Sequence, residues 1–334
     1  MRILVSLLLL SLIAVLSCTK ESTYIENTGQ AQGSTYQIKY LSPNGADLGD
    51  DIVDIFQEID LSMSTYISTS LISQINKGDT TVKIDAPFEE VLTRSIEIAK
   101  ETNGQFDPTI GPLVRFWGFG FDEVKTDIDP EEINRIKEST GYESIDFENH
   151  SVTIPKGFNI DFNAIAQGFT VDYIARFLES KKVEHYMVEV GGEVKAKGVN
   201  DKNNYWKIGV DKPQEQIDTE DRFQFILTLQ DRALVTSGNY RKFWVDKETG
   251  VRYSHTIDPK TGYPARNRLL SASILGDSAM DADAYATTCM VKGLEGCKEL
   301  LKQHTELEGY LVFDIGDNEW GTYISPGFKE FIVE

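Results

Sequence analysis

Apolar residues recur every three or four positions in "DDIVDIFQEIDLSMS", where Ile52, Ile55, Phe56 and Ile59 fall on one side of a helix and the acids on the other. The same spacing predicts a helix over about Phe88 to Thr102. Another is expected from about Ala164 to Ser180, carrying Ile165, Phe169, Ile174, Phe177 and Leu178. Asp129 before Pro130-Glu131-Glu132 reads as a helix start, because proline has no amide to lose in the first turn. Two short helices are expected at 278–291 and 294–304. Period-two alternation marks strands at "STYQIKYL", "HYMVEV", "YWKIGV", "FQFILTL", "ALVTS", "YLVFDI" and "WGTYIS". Strands and helices mix without a regular βαβ rhythm, and neighbouring strands look hairpin-connected. The expected fold class is α+β, with mixed, largely antiparallel sheets and packed helices. No repeat or internal linker divides the chain.

The first residues depart from this pattern. Arg2 precedes the apolar run "ILVSLLLLSLIAVL", which reads as a secretory signal too short to span a bilayer comfortably. The "VLSC" that ends it resembles a bacterial lipobox, in which cleavage leaves Cys18 as a lipidated first residue. The organisation expected is a leader at 1–17, a polar lipidated tether at 18–33 and a single domain at 34–334. Acyl chains on Cys18 would hold that domain at a membrane on the extracytoplasmic (periplasmic) side.

Composition narrows the function. Removal of the leader leaves 317 of 334 residues, and 40% hydrophobic content is ordinary for a globular core. The net charge of −20 argues against nucleic acid, whose phosphates need a basic surface. An anionic small ligand would need a cation or local donors to offset that field. Cys289 and Cys297 either pair in an oxidising compartment or stand as buried thiols on neighbouring helices. No Cys/His spacing suggests zinc.

Several short stretches carry possible chemistry. In "DADAYATT", Asp283 and Thr287 are four apart and share a helix face. A carboxylate and a hydroxyl so placed suit a hard cation such as magnesium; the plainer reading is a polar helix face. In "NIDFNAIAQGFTVD", Asp161 precedes a helix start, where free amides favour an anion, and Ala164, Ala166 and Gly168 allow close approach. "VEVGGEV" and "LVTSGNY" run from strand into glycine and read either as turns or as phosphate-binding loops. The aromatics of "GQFDPTIGPLVRFWGFG" either join the core or face a planar ring. "YSHTIDPKTG" holds His255, one of four histidines, before a turn-forming segment.

The order of these stretches, together with "MSTYISTSLISQIN", closely resembles the ApbE family of FAD:protein FMN transferases, from about residue 30 to the C-terminus. The resemblance implies an ApbE-like (T-fold-like) flavin transferase fold. It implies magnesium-dependent transfer of FMN from FAD, the substrate, to a threonine or serine hydroxyl of another protein, with AMP released. Family pattern carries the Mg2+ site onto Asp283, Thr287 and the Ala164 backbone oxygen. It carries flavin and nucleotide binding onto Met63, Phe106, Asp107, Asp161, Gln167 and Ile257. Many members have lysine where Gln167 stands, and a neutral amide cannot neutralise phosphate. His255 has a suitable pKa range for accepting the hydroxyl proton, with Asp258 as its orienting partner, or it only shapes the following loop. Asp283 is a second candidate for the proton. The acceptors implied are flavoprotein subunits of membrane redox complexes of the sodium-pumping NADH:quinone reductase (Nqr) or Rnf type. Two other activities fit the same residues: a FAD pyrophosphatase giving FMN and AMP, and a non-catalytic FAD-binding lipoprotein.

Overall fold

Eight strands pair edge to edge in the computed structural model, which describes residues 21–119, 129–212, 222–239, 243–245, 252–317 and 319–333. They are β1 (Thr23–Ala31), β2 (Ser34–Ser42), β3 (Tyr186–Val190), β4 (Glu193–Lys197), β5 (Arg232–Gly238), β6 (Leu269–Gly276), β7 (Glu308–Gly316) and β8 (Glu319–Ile324). Each is antiparallel to the next, and their order across the sheet is their order along the chain. The α+β, antiparallel expectation holds. The longer helices and a hairpin are inserted between consecutive strands, and a short turn of helix at Phe328–Phe331 follows the last. The β2–β3 connection contains α1 (Gly49–Met63), α2 (Ala86–Glu101) and α3 (Ala166–Ser180), and α4 (Ala279–Gln303) joins β6 to β7. The hairpin of Trp206–Asp211 with Phe223–Leu229 lies between β4 and β5.

Alternate residues of a strand face opposite ways, so the central strands supply two cores. In β5, Ala233 and Val235 pack with the helices, and Leu234 packs with the hairpin. In β7, Leu311 joins the helices, whereas Tyr310 and Val312 meet Phe225 and Phe328 on the other side. The result is helices, sheet and hairpin in three layers. A third, small cluster of Leu113, Phe116, Trp117, Ile133 and Ile257 stands apart from both.

Two readings change, and the expected pair of helices before β7 holds. The leader and Cys18 lie outside the described residues, but the tether expected over 18–33 is shorter: Thr23–Ala31 is a strand, paired with Ser34–Ser42. As an edge strand it buries little, so its polar sequence conceals it. The strand β6, "LLSASILG", was not among those expected because it is buried almost throughout and has no polar alternation to reveal it. The helices expected at 278–291 and 294–304 are the two halves of α4, which breaks at Gly293 (φ 70°). In an unbroken helix, residues eight apart would stand about 12 Å from each other. The break brings the Cα atoms of Cys289 and Cys297 to 4.7 Å, and the two form a disulfide. Asn267 donates to the Met290 carbonyl at the break (2.8 Å).

Replacing both cysteines by alanine removes a cross-link between residues eight apart, expected to cost about 2.5 kcal/mol in urea unfolding. An unchanged unfolding free energy would show that the cross-link contributes nothing.

Candidate active site

The loop before α3 is stapled to its neighbours. Asn76 accepts from the Ile160 amide (2.7 Å) and donates to the Ile160 carbonyl (2.8 Å). The Asp161 amide donates to the Pro108 carbonyl (2.7 Å), which ties "NIDFNAIAQG" to "FDPTIGPL". The Asp161 carboxylate accepts from the Asn163 amide (2.8 Å) and shapes the turn into the helix. Burial pushes the Asp161 carboxyl up, opposed by the Asn163 bonds and the Arg115 charge.

No side chain of its own caps α3. The Gly168 amide donates instead to Asp283 Oδ2 of α4 (3.0 Å). In a helical ladder that amide would serve the carbonyl four residues back, which is Ala164, and no donor among the described residues reaches it. Asp283 is buried, 5% exposed, and its Oδ1 accepts no hydrogen bond among the described residues. Burial holds its carboxyl well above the usual carboxylate range, with only the Gly168 amide opposing. One turn on, Thr287 Oγ1 is 3.3 Å from Ser237 Oγ at the end of β5. A spare carboxylate oxygen, a threonine hydroxyl and an unused carbonyl form an oxygen-donor set of the kind magnesium prefers. A buried carboxylate with no paired cation is costly unless a cation joins it. No group of three or more His, Cys, Asp or Glu side chains suits a metal among the described residues, so any site here must use such mixed oxygens.

Gln167 reaches across to the β3–β4 turn, where Nε2 donates to the Val190 carbonyl (3.3 Å). A Cβ on Gly191 (φ 66°) would lie 1.5 Å from that nitrogen. "VEVGGEV" is therefore a hairpin, and its first glycine makes room for Gln167.

His255 follows the short strand Arg252–Ser254 and is half-buried, its ring edge-on to Phe119 with centroids 6.4 Å apart. Thr256 Oγ1 donates to Asn239 Oδ1 (2.8 Å), two residues beyond Ser237. The histidine loop and the Asp283–Thr287 helix thus share one support, the end of β5. Asp258 departs from the expected role of orienting His255. Its carboxylate accepts from the Lys260 amide (2.9 Å) and the Thr261 hydroxyl (3.1 Å), ordering its own turn. Trp117 Nε1 pins that turn by donating to the Gly262 carbonyl (2.8 Å).

The remaining expected binding residues are buried. Met63 and Phe106 belong to the main core and Ile257 to the small cluster. Asp107 accepts from the Thr109 amide (2.8 Å), the Thr109 hydroxyl (2.6 Å) and the Tyr142 amide (3.2 Å). Burial still pushes its carboxyl up against those bonds. Ala164 and Gln167 flank the start of α3, where the Gly168 amide meets Asp283; Thr287 stands one turn further along α4, and Asp161 lies in the turn before α3. Met63, Phe106 and Ile257 make no hydrogen-bonded link to that group. Ser237, Asn239 and Asn76 were not singled out from sequence; only the strand-to-glycine form of "LVTSGNY" hinted at the first two.

Residues 32–311 match the ApbE family model. The FAD:protein FMN transferase of Vibrio cholerae is 36% identical, with 97% of each chain covered. That of Haemophilus influenzae is 33% identical over 95% of this chain and 94% of the relative. The solved flavin transferase ApbE from Vibrio cholerae has a TM-score of 0.80 at 35% identity, covering 93% of this chain and 100% of that one. The apo form of the Pseudomonas stutzeri flavinyl transferase ApbE has a TM-score of 0.83 at 27% identity, covering 93% of this chain and 97% of that one.

The raised Asp283 carboxyl makes metal-free stability depend on pH. A folded-state pKa above the unfolded value means that stability is full below the unfolded pKa and falls as pH rises through the folded one. Asp283→Asn keeps an acceptor for the Gly168 amide without the charge, so it should flatten that fall. Melting temperature against pH in EDTA measures it, and parallel profiles for the two proteins would refute the assignment.

Proposed function

The chain belongs to the ApbE family of flavin transferases, and on that premise we propose that it moves the FMN half of FAD onto a threonine or serine hydroxyl of an acceptor flavoprotein. AMP is the other product, and magnesium is required. The observation that carries this reading is the buried Asp283 carboxylate, which accepts from the Gly168 amide and meets no cation among the described residues. The Thr287 hydroxyl stands one turn further along α4, and the Ala164 carbonyl has no donor among the described residues.

Those three groups would hold the magnesium, which when bound supplies charge neutralisation on the pyrophosphate oxygens. The N-terminal end of α3 presents its positive partial charge to the same phosphates. Gln167 offers them a neutral carboxamide donor. Phe106, Asp107, Asp161, Met63 and Ile257 surround the flavin and its nucleotide; the Pro108–Asp161 staple supports this by joining two of those segments. In the transfer, the acceptor oxygen bonds to the FMN phosphorus as the bond from that phosphorus to the AMP oxygen breaks. AMP leaves with the electron pair, and the hydroxyl proton passes to His255. The half-buried position of His255, on a loop held by Thr256–Asn239 and Trp117–Gly262, supports that role.

We also propose that the protein works as a lipoprotein anchored through Cys18 on the extracytoplasmic side. The leader, the "VLSC" sequence and a disulfide suited to an oxidising compartment support this. Its acceptors are then flavoprotein subunits of Nqr- or Rnf-type membrane complexes.

Incubating the chain with FAD, magnesium and such a threonine-bearing subunit should give an acceptor heavier by one FMN unit less water, with matching AMP. AMP and free FMN without labelling would instead make it a pyrophosphatase, and bound, uncleaved FAD a carrier. His255→Ala should slow transfer by about a hundredfold or more while FAD affinity holds. Loss of binding alone would reduce His255 to a scaffold residue.

A further inference from the structure

One turn beyond Gly168 on α3, Asp172 is buried, 6% exposed, and serves three partners. Its Oδ2 accepts from the Ser278 hydroxyl (2.8 Å) and from the Met280 amide (3.0 Å) at the start of α4. Its Oδ1 accepts from Lys195 Nζ of β4 (2.6 Å), and Lys195 donates also to the Asp277 carbonyl (2.9 Å). Ser278 is itself the N-cap of α4, accepting from the Asp281 amide (3.1 Å). A single carboxylate thus gathers α3, β4, the turn before α4 and the first orphan amides of α4.

This arrangement bears directly on Asp283. The helices α3 and α4 are hydrogen-bonded through these side chains at two levels. Asp172 meets Ser278 and Met280, and Gly168 meets Asp283. Asp283 stands three residues, about 4.5 Å of helix rise, beyond Met280. The lower level therefore sets the height at which the Asp283 carboxylate stands against the α3 amides. A paired, fully hydrogen-bonded carboxylate suits such a task, because breaking it leaves buried polar groups without partners. The neighbouring Gly168–Ala279 contact leaves no slack for α4 to shift sideways.

We propose that Asp172, held by Lys195, is the positioning residue for Asp283: through Ser278 and Met280 it fixes α4 in the register that presents the Asp283 carboxylate to its cation. This inference rests on the magnesium reading of Asp283. Asp172 acts through another residue and touches no substrate.

The test uses the full chain with magnesium alone and has two readouts. In calorimetric titration, Asp172→Asn should weaken magnesium affinity by about tenfold or more, the usual cost of losing a group that orients a ligand. By hydrogen exchange in EDTA, the Gly168 amide should exchange at least tenfold faster in the same variant. Asp211→Asn, which breaks the Arg222 ion pair (2.6 Å) on the distant hairpin, is the control and should change neither. Should Asp172→Asn not fold, Ser278→Ala removes one of the bonds, and Ser278→Thr should restore what it loses. Unchanged Gly168 exchange in Asp172→Asn, or equal losses in the control, would overturn the proposal. If the unaltered chain binds no magnesium, the metal reading itself fails, and the exchange result still decides whether Asp172 positions Asp283.

Discussion

At Gly168 the backbone of α3 lies so close to α4 that a methyl group there would stand 2.2 Å from the Ala279 carbonyl oxygen. That contact decides where everything polar around it must go. With the helices this close, the Gly168 amide turns to Asp283 and leaves the Ala164 carbonyl unused. The same approach brings Asp172 within reach of Ser278 and the amides behind it. A larger residue at 168 would separate the helices and return each group to ordinary helical bonding. Core helices often meet through small residues; here the meeting also sets which polar atoms stay unsatisfied.

Those unsatisfied atoms work against stability. A buried carboxylate without a cation and a carbonyl without a donor each cost free energy in the ligand-free chain. Among the described residues many ionic groups are paired, as with Arg94 between Asp281, Glu97 and Glu101, or Arg176 with Glu90, and the buried Asp107 is met by three hydrogen-bond donors. At Asp283 one carboxylate oxygen has neither donor nor cation among the described residues, and local departures of this kind are where a fold makes room for a ligand.

How much of this was legible in the sequence depended on how a residue is used. The amphipathic helices could be read because one face is wet, as at Ile52, Ile55, Phe56 and Ile59. β6 could not, because both of its faces are buried, and β1 could not, because none of its residues is fully buried. The pairing of Asp283 with Thr287 follows from helical spacing alone. Gly168, Asp172 and Ser278 matter only through contacts between helices, and no local pattern marks them. Asp258 was misjudged for the opposite reason: its carboxylate is met by Lys260 and Thr261 of its own turn, not by the histidine before it. The Cys289–Cys297 pairing stayed open although two helices were expected there, because spacing places the break but not the turn at Gly293 that brings the two halves together.

The strand order of the sheet bears on the chain as it is made. Because neighbours in the sheet are neighbours in sequence, β3 to β8 can zip together in the order they appear, each strand finding its partner already present. β2 has no such help. Once paired with β1, it must wait with its other edge open until Tyr186 arrives, more than a hundred residues later. An open edge is a template for the wrong partner as readily as for the right one. For a nascent polypeptide, the vulnerable interval lies between the first hairpin and the arrival of β3, and the helices made in between are what must shield it.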